Sequence, residues 1–253
     1  QGMSGMMSIT GYPNTPPARV GSSLGDVSAG LYAVTGILLA LYNREITGKG
    51  QYVDIAMLDS VFTFVETNVV RYTIGGVHPT RVGARHPLSA PFDIYRCKDA
   101  HVIIAVASDS HFAKLCEIIG QPDLIQNPKF DSDPHRSDND VELKAILEDF
   151  FKDYTVAEAI EMMQKYSIPC GPLCTVDEAC ENPSILQRDM LVEIDQPGMG
   201  KVKITGNPIK LSETPPDPKH PAPLLGQDTK EVLQDIFGFS QEQVAKWEAE
   251  HII

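Results

Sequence analysis

The sequence predicts an α/β protein, and two observations support this class. A helical pattern at 26–43, a turn, an alternating strand pattern at 51–57 and another helical pattern to about residue 72 follow each other in the order of an α/β layer. A buried strand at 101–107 is then followed by several amphipathic helices, which is typical of a small α+β domain. A chain of 253 residues is long enough for one large domain or two modest ones.

The first predicted helix is apolar on nearly all sides. It begins at Asp26, a residue type favoured as a helix N-cap, and it ends near Asn43 and Arg44. Its most apolar part, 31–41, is interrupted by polar residues and a glycine, and it is shorter than the ~18 residues that span a bilayer. We therefore expect a buried core helix and no membrane span.

A glycine-containing turn at 47–50 separates this helix from the alternating pattern at 51–57, which predicts a strand. Asp59 is expected to cap the next helix, which runs to about Tyr72. The segment 75–96 begins with two glycines and continues with many Gly, Pro, Arg and His residues, so we predict a linker between domains.

A small α+β domain is predicted at 97–182, around the strand at 101–107. Thr155 and Glu158 have the spacing of a capping box, in which each side chain accepts a hydrogen bond from the other residue's backbone N–H group. Amphipathic helices are predicted at 110–119, 140–152 and 155–166.

The rest of the chain, 183–253, is expected to contain two strands joined by a tight turn, followed by an extended segment and two polar helices. Proline disrupts helices and donates no backbone hydrogen bond, so the proline-rich segment must run extended. The strands are predicted at 191–195 and 201–205, the extended segment at 213–223, and the helices near 229–237 and 240–250.

Composition limits the function classes. The net charge of -13 argues against general nucleic-acid binding, which depends on an excess of Lys and Arg. The five cysteines include no CxxC pair, so they predict neither a disulfide framework nor a zinc site, and we expect a cytoplasmic protein without a metal. The first seven residues lack a basic segment before an apolar core, so no signal peptide is expected, and they resemble the middle of a longer chain.

Asp26 is the best candidate for chemistry. It follows Gly25 at the point where a glycine-rich loop becomes a helix, and glycine permits tight turns and close approach by another molecule. Two roles fit this position. The carboxylate is either an N-cap that accepts hydrogen bonds from the helix N–H groups, or a nucleophile that the same donors keep ionised and oriented. These residues alone are compatible with both.

Several separated segments resemble the class III coenzyme A transferases, also called the CaiB/BaiF family, which includes formyl-CoA transferase. Each segment is short, but their order and spacing together are specific, and they cover nearly the whole chain. The segments are SGMMSITG at 4–11, LGD at 24–26, GKGQYVDIAM at 48–57, RVGARHP at 81–87, IPCGP at 168–172 and PLLGQ at 223–227.

The resemblance implies the C-terminal part of a nucleotide-binding-type large domain plus a small α+β domain. Residues 1–74 would be the remainder of the large CoA-binding domain, and 183–253 a return linker and the C-terminal part of that domain. The family's N-terminal half-domain, which holds most CoA contacts, would precede Gln1. The resemblance also implies an interlocked homodimer with CoA held between domains of the two subunits. The net charge and the lack of a long apolar run predict no nucleic-acid or membrane partner.

The resemblance also implies roles for individual residues. The catalytic aspartate of the family falls on Asp26 and a contact to the CoA adenine on Met57, although a core role for Met57 fits its pattern equally well. Gly83, Arg85 and His86 lie in a loop that covers the active site in the family. Formyl-CoA transferase has a run of glycines in this loop, which this chain lacks. Arginine can pair with the carboxylate of the acceptor in a forked geometry, and histidine can donate a hydrogen bond to it.

The implied activity is transfer of CoA from an acyl-CoA thioester to a free carboxylic acid through a covalent intermediate on Asp26. Acyl-CoA would be a substrate, and no tightly bound cofactor is expected. Two alternatives stay open. One is an α-methylacyl-CoA racemase, which shares the fold and uses the matching aspartate as an acid/base together with a histidine that would lie upstream of Gln1. The other is a folded dimerisation fragment that is catalytically silent.

Overall fold

The structure is a computed structural model that describes residues 1–217 and 220–253. These residues form two units, Gln1–Leu173 and Cys174–Ile253, which are described separately below. The domain limits predicted from the sequence, 1–74, 75–96, 97–182 and 183–253, are not decided by this division and stay predictions.

The N-terminal part of the first unit is helical. The long helix α2 (Leu24–Thr47) is capped by Gly48, whose left-handed backbone (φ 71°) lets its N–H group donate to the Arg44 carbonyl over 2.8 Å. A 3₁₀ turn at Thr63–Val65 separates the third helix from the fourth, so the helix predicted to run to Tyr72 is divided. The helices are α1 (Met6–Ile9), α2 (Leu24–Thr47), α3 (Met57–Phe62) and α4 (Glu66–Thr73).

The prediction that the first long helix is buried was wrong. Ser28 is the only buried residue of α2, while Leu31, Leu38 and Leu39 are each about 60% exposed. The prediction also underestimated the length of this helix, because α2 has 24 residues and, by length and composition, is able to cross a membrane. Core helices of soluble proteins have the same composition. The predicted absence of a membrane partner stays a prediction.

The prediction of a strand at 51–57 was also wrong. Residues 51–56 belong to no sheet, and α3 begins at Met57. An alternating pattern favours an extended chain, but a strand also requires a hydrogen-bonded neighbour, and the described residues provide none. The segment lies against α2 at Gly36, where a Cβ atom would stand 2.9 Å from Cγ1 of Val53. Glycine therefore permits this close approach.

The rest of the first unit is built on a three-stranded antiparallel sheet with the order β1-β2-β3. Ile103 of the central strand faces Ile94 on one side and Gly171 on the other. The first strand lies within the predicted linker 75–96, and the third was not predicted. The strands are β1 (Phe92–Arg96), β2 (His101–Ala105) and β3 (Cys170–Pro172), and the helices are α5 (Asp109–Ile118), α6 (Asp133–Asp138), α7 (Asp140–Phe151) and α8 (Val156–Lys165).

One apolar cluster lies between this sheet and its helices. The helices predicted at 110–119, 140–152 and 155–166 are confirmed as α5, α7 and α8 within one or two residues at each end. The capping box is confirmed, since Thr155 and Glu158 exchange both hydrogen bonds. Fully buried side chains of the cluster include Val102, Ile104, Leu115, Leu147, Phe151 and Met163.

The second unit contains a two-stranded antiparallel sheet in which Glu193 faces Lys203, so the two predicted strands are confirmed. The predicted extended segment 213–223 includes Pro218 and Lys219, which lie outside the described residues. The elements are α9 (Val176–Glu181), α10 (Pro183–Gln187), β4 (Leu191–Gln196), β5 (Gly200–Thr205), α11 (Thr229–Glu231, continued by a π-helical turn at Val232–Ile236) and α12 (Gln241–Ala249).

Candidate active site

Asp26 lies in the first turn of α2, and the prediction that it begins the helix was wrong. The helix starts two residues earlier at Leu24, and the N-cap residue is Ser23, whose side chain makes no capping hydrogen bond. Asp26 is therefore the third helical residue. A negative charge at this place is stabilised by the positive end of the helix dipole and by the free N–H groups of the first turn.

The Asp26 carboxylate is exposed and has no hydrogen-bond or ion-pair partner within residues 1–217 and 220–253. Ser28, two residues further along, is buried and donates to the Gly25 carbonyl over 3.2 Å, so it does not compete for the carboxylate. An unpartnered carboxylate near helix N–H donors can act as a nucleophile toward an electrophilic carbonyl.

Gly25 brings Met57 to the start of α2. A Cβ atom on Gly25 would lie 3.2 Å from Cε of Met57 and 3.7 Å from Cγ2 of Val61. The first turns of α2 and α3 therefore touch at a glycine directly beside Asp26. Met57 is 52% exposed, so it is a surface residue in this chain. The structure thus brings together two of the residues predicted for the site.

An open cleft of about 190 Å³ lies between α2 and the segment that leads into α3. The hydroxyl groups of Tyr32 and Thr63 are hydrogen-bonded over 2.9 Å at this cleft. Residues 54–56 line the cleft on one side and Tyr32 of α2 on the other.

Gly83 lies where the predicted loop contacts the N-terminal residues. Its backbone is left-handed (φ 75°), its N–H group donates to the Gly11 carbonyl over 3.0 Å, and a Cβ atom would stand 2.8 Å from the ring of Tyr12. Arg81 supports the same contact, since its Nη2 atom donates to the Thr15 carbonyl over 2.7 Å. Glycine is thus required at position 83 by both conformation and space.

Arg85 pairs with a carboxylate of its own chain. Its Nε atom lies 3.1 Å from Oδ2 of Asp140 at the start of α7, and both side chains are 27% exposed. Its Nη1 atom donates to the His86 carbonyl over 3.3 Å. These contacts leave Nη2 without a described partner, so Arg85 holds the loop to α7 and retains one nitrogen for a ligand.

His86 closes the same loop. Its backbone N–H group donates to the Phe92 carbonyl over 2.8 Å, and its ring stacks on the ring of Phe92 with centroids 5.1 Å apart. Its Nδ1 atom accepts a hydrogen bond from the N–H group of Leu88 over 3.2 Å. A neutral histidine that accepts at Nδ1 carries its proton on Nε2, so the ring presents an N–H donor.

The candidate residues form two groups, Asp26 with Met57 and the loop with Arg85 and His86, and no polar contact of the described residues links them. No hydrogen bond or ion pair of the described residues connects Arg85 or His86 with Asp26. Two residues that hold the loop, Tyr12 and Asp140, were missed from the sequence. No sequence signal identifies them, because each lies more than fifty residues from its contact.

Three of the five cysteines do not offer an alternative nucleophile near neutral pH. Burial raises the pKa of Cys97 and Cys170, and it raises the pKa of Cys116 to about 11, so these groups stay thiols. Cys174 is exposed and Cys180 is partly exposed. Within the described part of the chain, no three His, Cys, Asp or Glu side chains lie close enough to hold a metal ion.

Curated relatives of this chain are named as CoA-transferases. The chain is 38% identical to the acetyl-CoA:oxalate CoA-transferase of Acetobacter aceti over 84% of its own length and 54% of the relative's. It is 36% identical to the succinyl-CoA:mesaconate CoA-transferase of Haloarcula marismortui over 93% of its length and 59% of the relative's. The chain thus spans just over half the length of these relatives.

A solved structure and a family model agree with these relatives. A CaiB/BaiF family protein from Brucella suis aligns with a TM-score of 0.76 and 30% identity over 93% of this chain and 61% of that one. These likenesses confirm the predicted α/β fold class of the family. The model described as CoA-transferase family III matches residues 1–229. This chain is a member of CoA-transferase family III.

Proposed function

We propose that the protein transfers CoA from an acyl-CoA thioester to a free carboxylic acid, with Asp26 as the nucleophile. The observation that carries this proposal is the exposed, unpartnered Asp26 carboxylate in the first turn of α2, in a chain of this family. CoA and acyl-CoA are substrates, and no tightly bound cofactor takes part. We also propose that the enzyme is a cytoplasmic homodimer.

The reaction begins when an oxygen of Asp26 attacks the thioester carbonyl. The C–S bond breaks, CoA leaves as a thiolate and a mixed anhydride forms on Asp26. The thiolate then attacks the aspartyl carbonyl and releases the donor acid, which leaves an aspartyl-CoA thioester. The acceptor carboxylate attacks this thioester and expels CoA thiolate, which gives a second mixed anhydride. The thiolate then attacks the acceptor's acyl carbonyl, which forms the new acyl-CoA and releases the Asp26 carboxylate. Each oxyanion requires nearby N–H donors, which glycine-rich turns supply.

Met57 and the loop residues have supporting roles in this proposal. Met57 contacts the adenine of CoA, the role that the family resemblance gives it, and its half-exposed side chain lies beside Gly25 at the start of α2. Arg85 and His86 bind the acceptor carboxylate through the free Nη2 atom and the Nε2 proton. Gly83 lets the loop approach Tyr12.

The test uses the complete gene product, an acyl-CoA donor and a panel of carboxylic acids. Asp26→Asn is expected to lower kcat by at least about 10³-fold, since the nucleophile is lost. Glu66→Gln is the matched control, because Glu66 is also an exposed carboxylate in the first turn of a helix of this unit. Hydroxylamine added with acyl-CoA should convert Asp26 to a hydroxamate that mass spectrometry locates.

Two results would contradict the proposal. Transfer that survives Asp26→Asn would exclude this nucleophile. Exchange of the Cα proton of a 2-methylacyl-CoA without transfer to any acid would favour the racemase alternative. Activity of the complete gene product together with silence of this chain alone would assign the chain as the inactive fragment considered above.

A further inference from the structure

A buried arginine, Arg136, lies beneath the loop that carries Arg85 and His86. It belongs to the short helix α6 and its side chain is 0% exposed. Its guanidinium lies over the ring of Phe112, 4.5 Å from the ring centre. An arginine is very rarely buried to this degree unless all its donors serve a purpose.

Each nitrogen of this guanidinium has an oxygen partner. Nε donates to the Ala90 carbonyl over 2.8 Å, and Nη1 donates to the Phe130 carbonyl over 3.1 Å. Nη2 donates to Oδ1 of Asp109 over 2.8 Å, with Oδ1 of Asp133 3.6 Å away. The single cation therefore joins the end of the loop to the first turn of α5 and to the segment before α6.

Ala90, at the end of the loop, is hydrogen-bonded through both its N–H group and its carbonyl. The Ala90 carbonyl accepts from Arg136, and the Ala90 N–H group donates to Oδ1 of Asp133 over 3.0 Å. The next carbonyl, that of Pro91, accepts from the N–H group of Val106 over 2.8 Å. Ala90 itself is 4% exposed. The chain thus enters β1 with its backbone fixed at three successive peptide groups.

The hydrogen bonds at Ala90 and Pro91 also determine the position of His86. The Phe92 carbonyl, two residues after Ala90, accepts from the His86 N–H group, and the two rings are stacked. The segment 86–92 is therefore closed at its ends, and its later end rests on Arg136. The hydrogen bond from Leu88 to Nδ1 lies inside this closed segment, so the tautomer of His86 depends on the shape of the segment.

An apolar side chain would fill the space of Arg136 with a similar or lower free energy, because a buried charge loses its hydration. What the guanidinium supplies in addition is direction, since its planar nitrogens fix three oxygens at once. We propose that Arg136 is a positioning residue, which acts through Ala90 and Phe92 to present the Nε2 proton of His86 to the acceptor carboxylate. This inference rests on the proposed function.

The test compares Arg136→Lys with Lys144→Met in the complete gene product. Lysine keeps the charge, but its single ammonium group cannot reproduce the planar fork. Lys144 is the control because it pairs with Asp93 over 2.6 Å in the same unit, and within the described residues it makes no hydrogen bond or ion pair with residues 86–91. Amide hydrogen exchange, the His86 tautomer by NMR, and steady-state kinetics are measured on each.

In Arg136→Lys we expect faster exchange at the amides of His86 and Ala90 and a mixture of His86 tautomers. We also expect KM for the carboxylic acid to rise about tenfold, the effect of one lost charge-assisted hydrogen bond, while KM for acyl-CoA stays within about twofold. Lys144→Met should leave these quantities at their wild-type values.

The inference is overturned if Arg136→Lys loses thermal stability while both amides and the tautomer behave as in Lys144→Met. If Arg136→Lys does not fold, Asp109→Ala serves in its place, because it removes the carboxylate that orients Nη2 of Arg136 and leaves the bond from the Ala90 N–H group to Asp133. If the wild type transfers CoA to no acid, the proposed function fails, while the exchange and tautomer measurements still decide the positioning role.

Discussion

Gly83 shows how one residue determines the shape of the loop near the candidate site. Its φ of 75° lies in the region that side chains rarely adopt, and the ring of Tyr12 occupies the place of a Cβ atom at 2.8 Å. A ring is less able to move aside than the end of a flexible chain. The two penalties act together, so this position is more restrictive than a glycine in an ordinary turn.

We predict that Gly83→Ala lowers the free energy of unfolding by about 2–3 kcal/mol, through backbone strain and the contact with Tyr12. Gly76→Ala is the control, since Gly76 also has a positive φ (64°) but nothing lies within 4 Å of its Cβ position. It should lose only about 1 kcal/mol. Urea denaturation measures both. Equal losses would mean that the Tyr12 contact has no energetic weight.

Arg85 has two roles in the proposal, as an anchor of the loop and as a ligand of the acceptor acid. Removing its partner Asp140 distinguishes between them. We predict a coupling of about 1 kcal/mol in the free energy of unfolding from a double-mutant cycle of Arg85→Gln and Asp140→Asn, because both side chains are partly buried. An anchor also predicts that Asp140→Asn lowers transfer as much as Arg85→Gln does. Full activity of Asp140→Asn would leave acid binding as the only role.

At the scale of elements, the sequence predicted those whose stability is local. Helices α5, α7 and α8 have their own amphipathic pattern, and the capping box fixed the start of α8. Strand β3 has three residues and ends at a proline, so it forms only because β2 offers a partner. The segment 51–56 is the opposite case, since its pattern is that of a strand and its partner is missing from the described residues.

The candidate site shows the same difference between features with a local sequence signal and features that depend on packing. Asp26 was found because a carboxylate at a loop-to-helix junction is a local signal. Its contact with Met57 through Gly25 depends on how α2 and α3 pack, and no periodicity contains that information. Asp140 and Arg136 reach the loop from 50 or so residues away, so only the folded chain identifies them. Sequence patterns thus identified the candidate reactive group but not the residues that hold the loop.

We predict that Thr155→Ala lowers the free energy of unfolding by about 1 kcal/mol, because the cap of α8 is lost. The helix carries three buried residues, Val156, Ala159 and Met163, so loosening its first turn reaches the core. Thr175→Ala removes the matching capping box of α9, a helix without buried residues, and should have a much smaller effect. Thermal unfolding followed by circular dichroism compares the two. A larger loss in Thr175→Ala would contradict the argument.

At the scale of the whole molecule, the main feature is an apolar stripe along α2. We define it by Val27, Leu31, Val34, Leu38 and Tyr42, which are 54–69% exposed and spaced by three or four residues, so they lie on one face. Gly36, which contacts Val53, lies on the opposite face. Monomeric proteins rarely leave such a surface uncovered. The relatives are longer than this chain, and in the proposed enzyme we expect protein to cover the stripe.

We predict that this chain, isolated by itself, associates through the stripe at micromolar concentration. The net charge of -13 opposes unlimited aggregation, so small oligomers are expected. Leu38→Lys should shift the chain toward the monomer, because a charge in the middle of the stripe must otherwise be buried. Val141→Lys is the control, since Val141 is 79% exposed on α7 and lies outside the stripe. Light scattering after size exclusion gives the masses.

In the complete gene product, Leu38→Lys should instead lower the free energy of unfolding by about 2 kcal/mol or more, because there we expect the stripe to be covered. A monomeric wild-type chain, or equal effects of the two lysines, would mean that the stripe does not drive association.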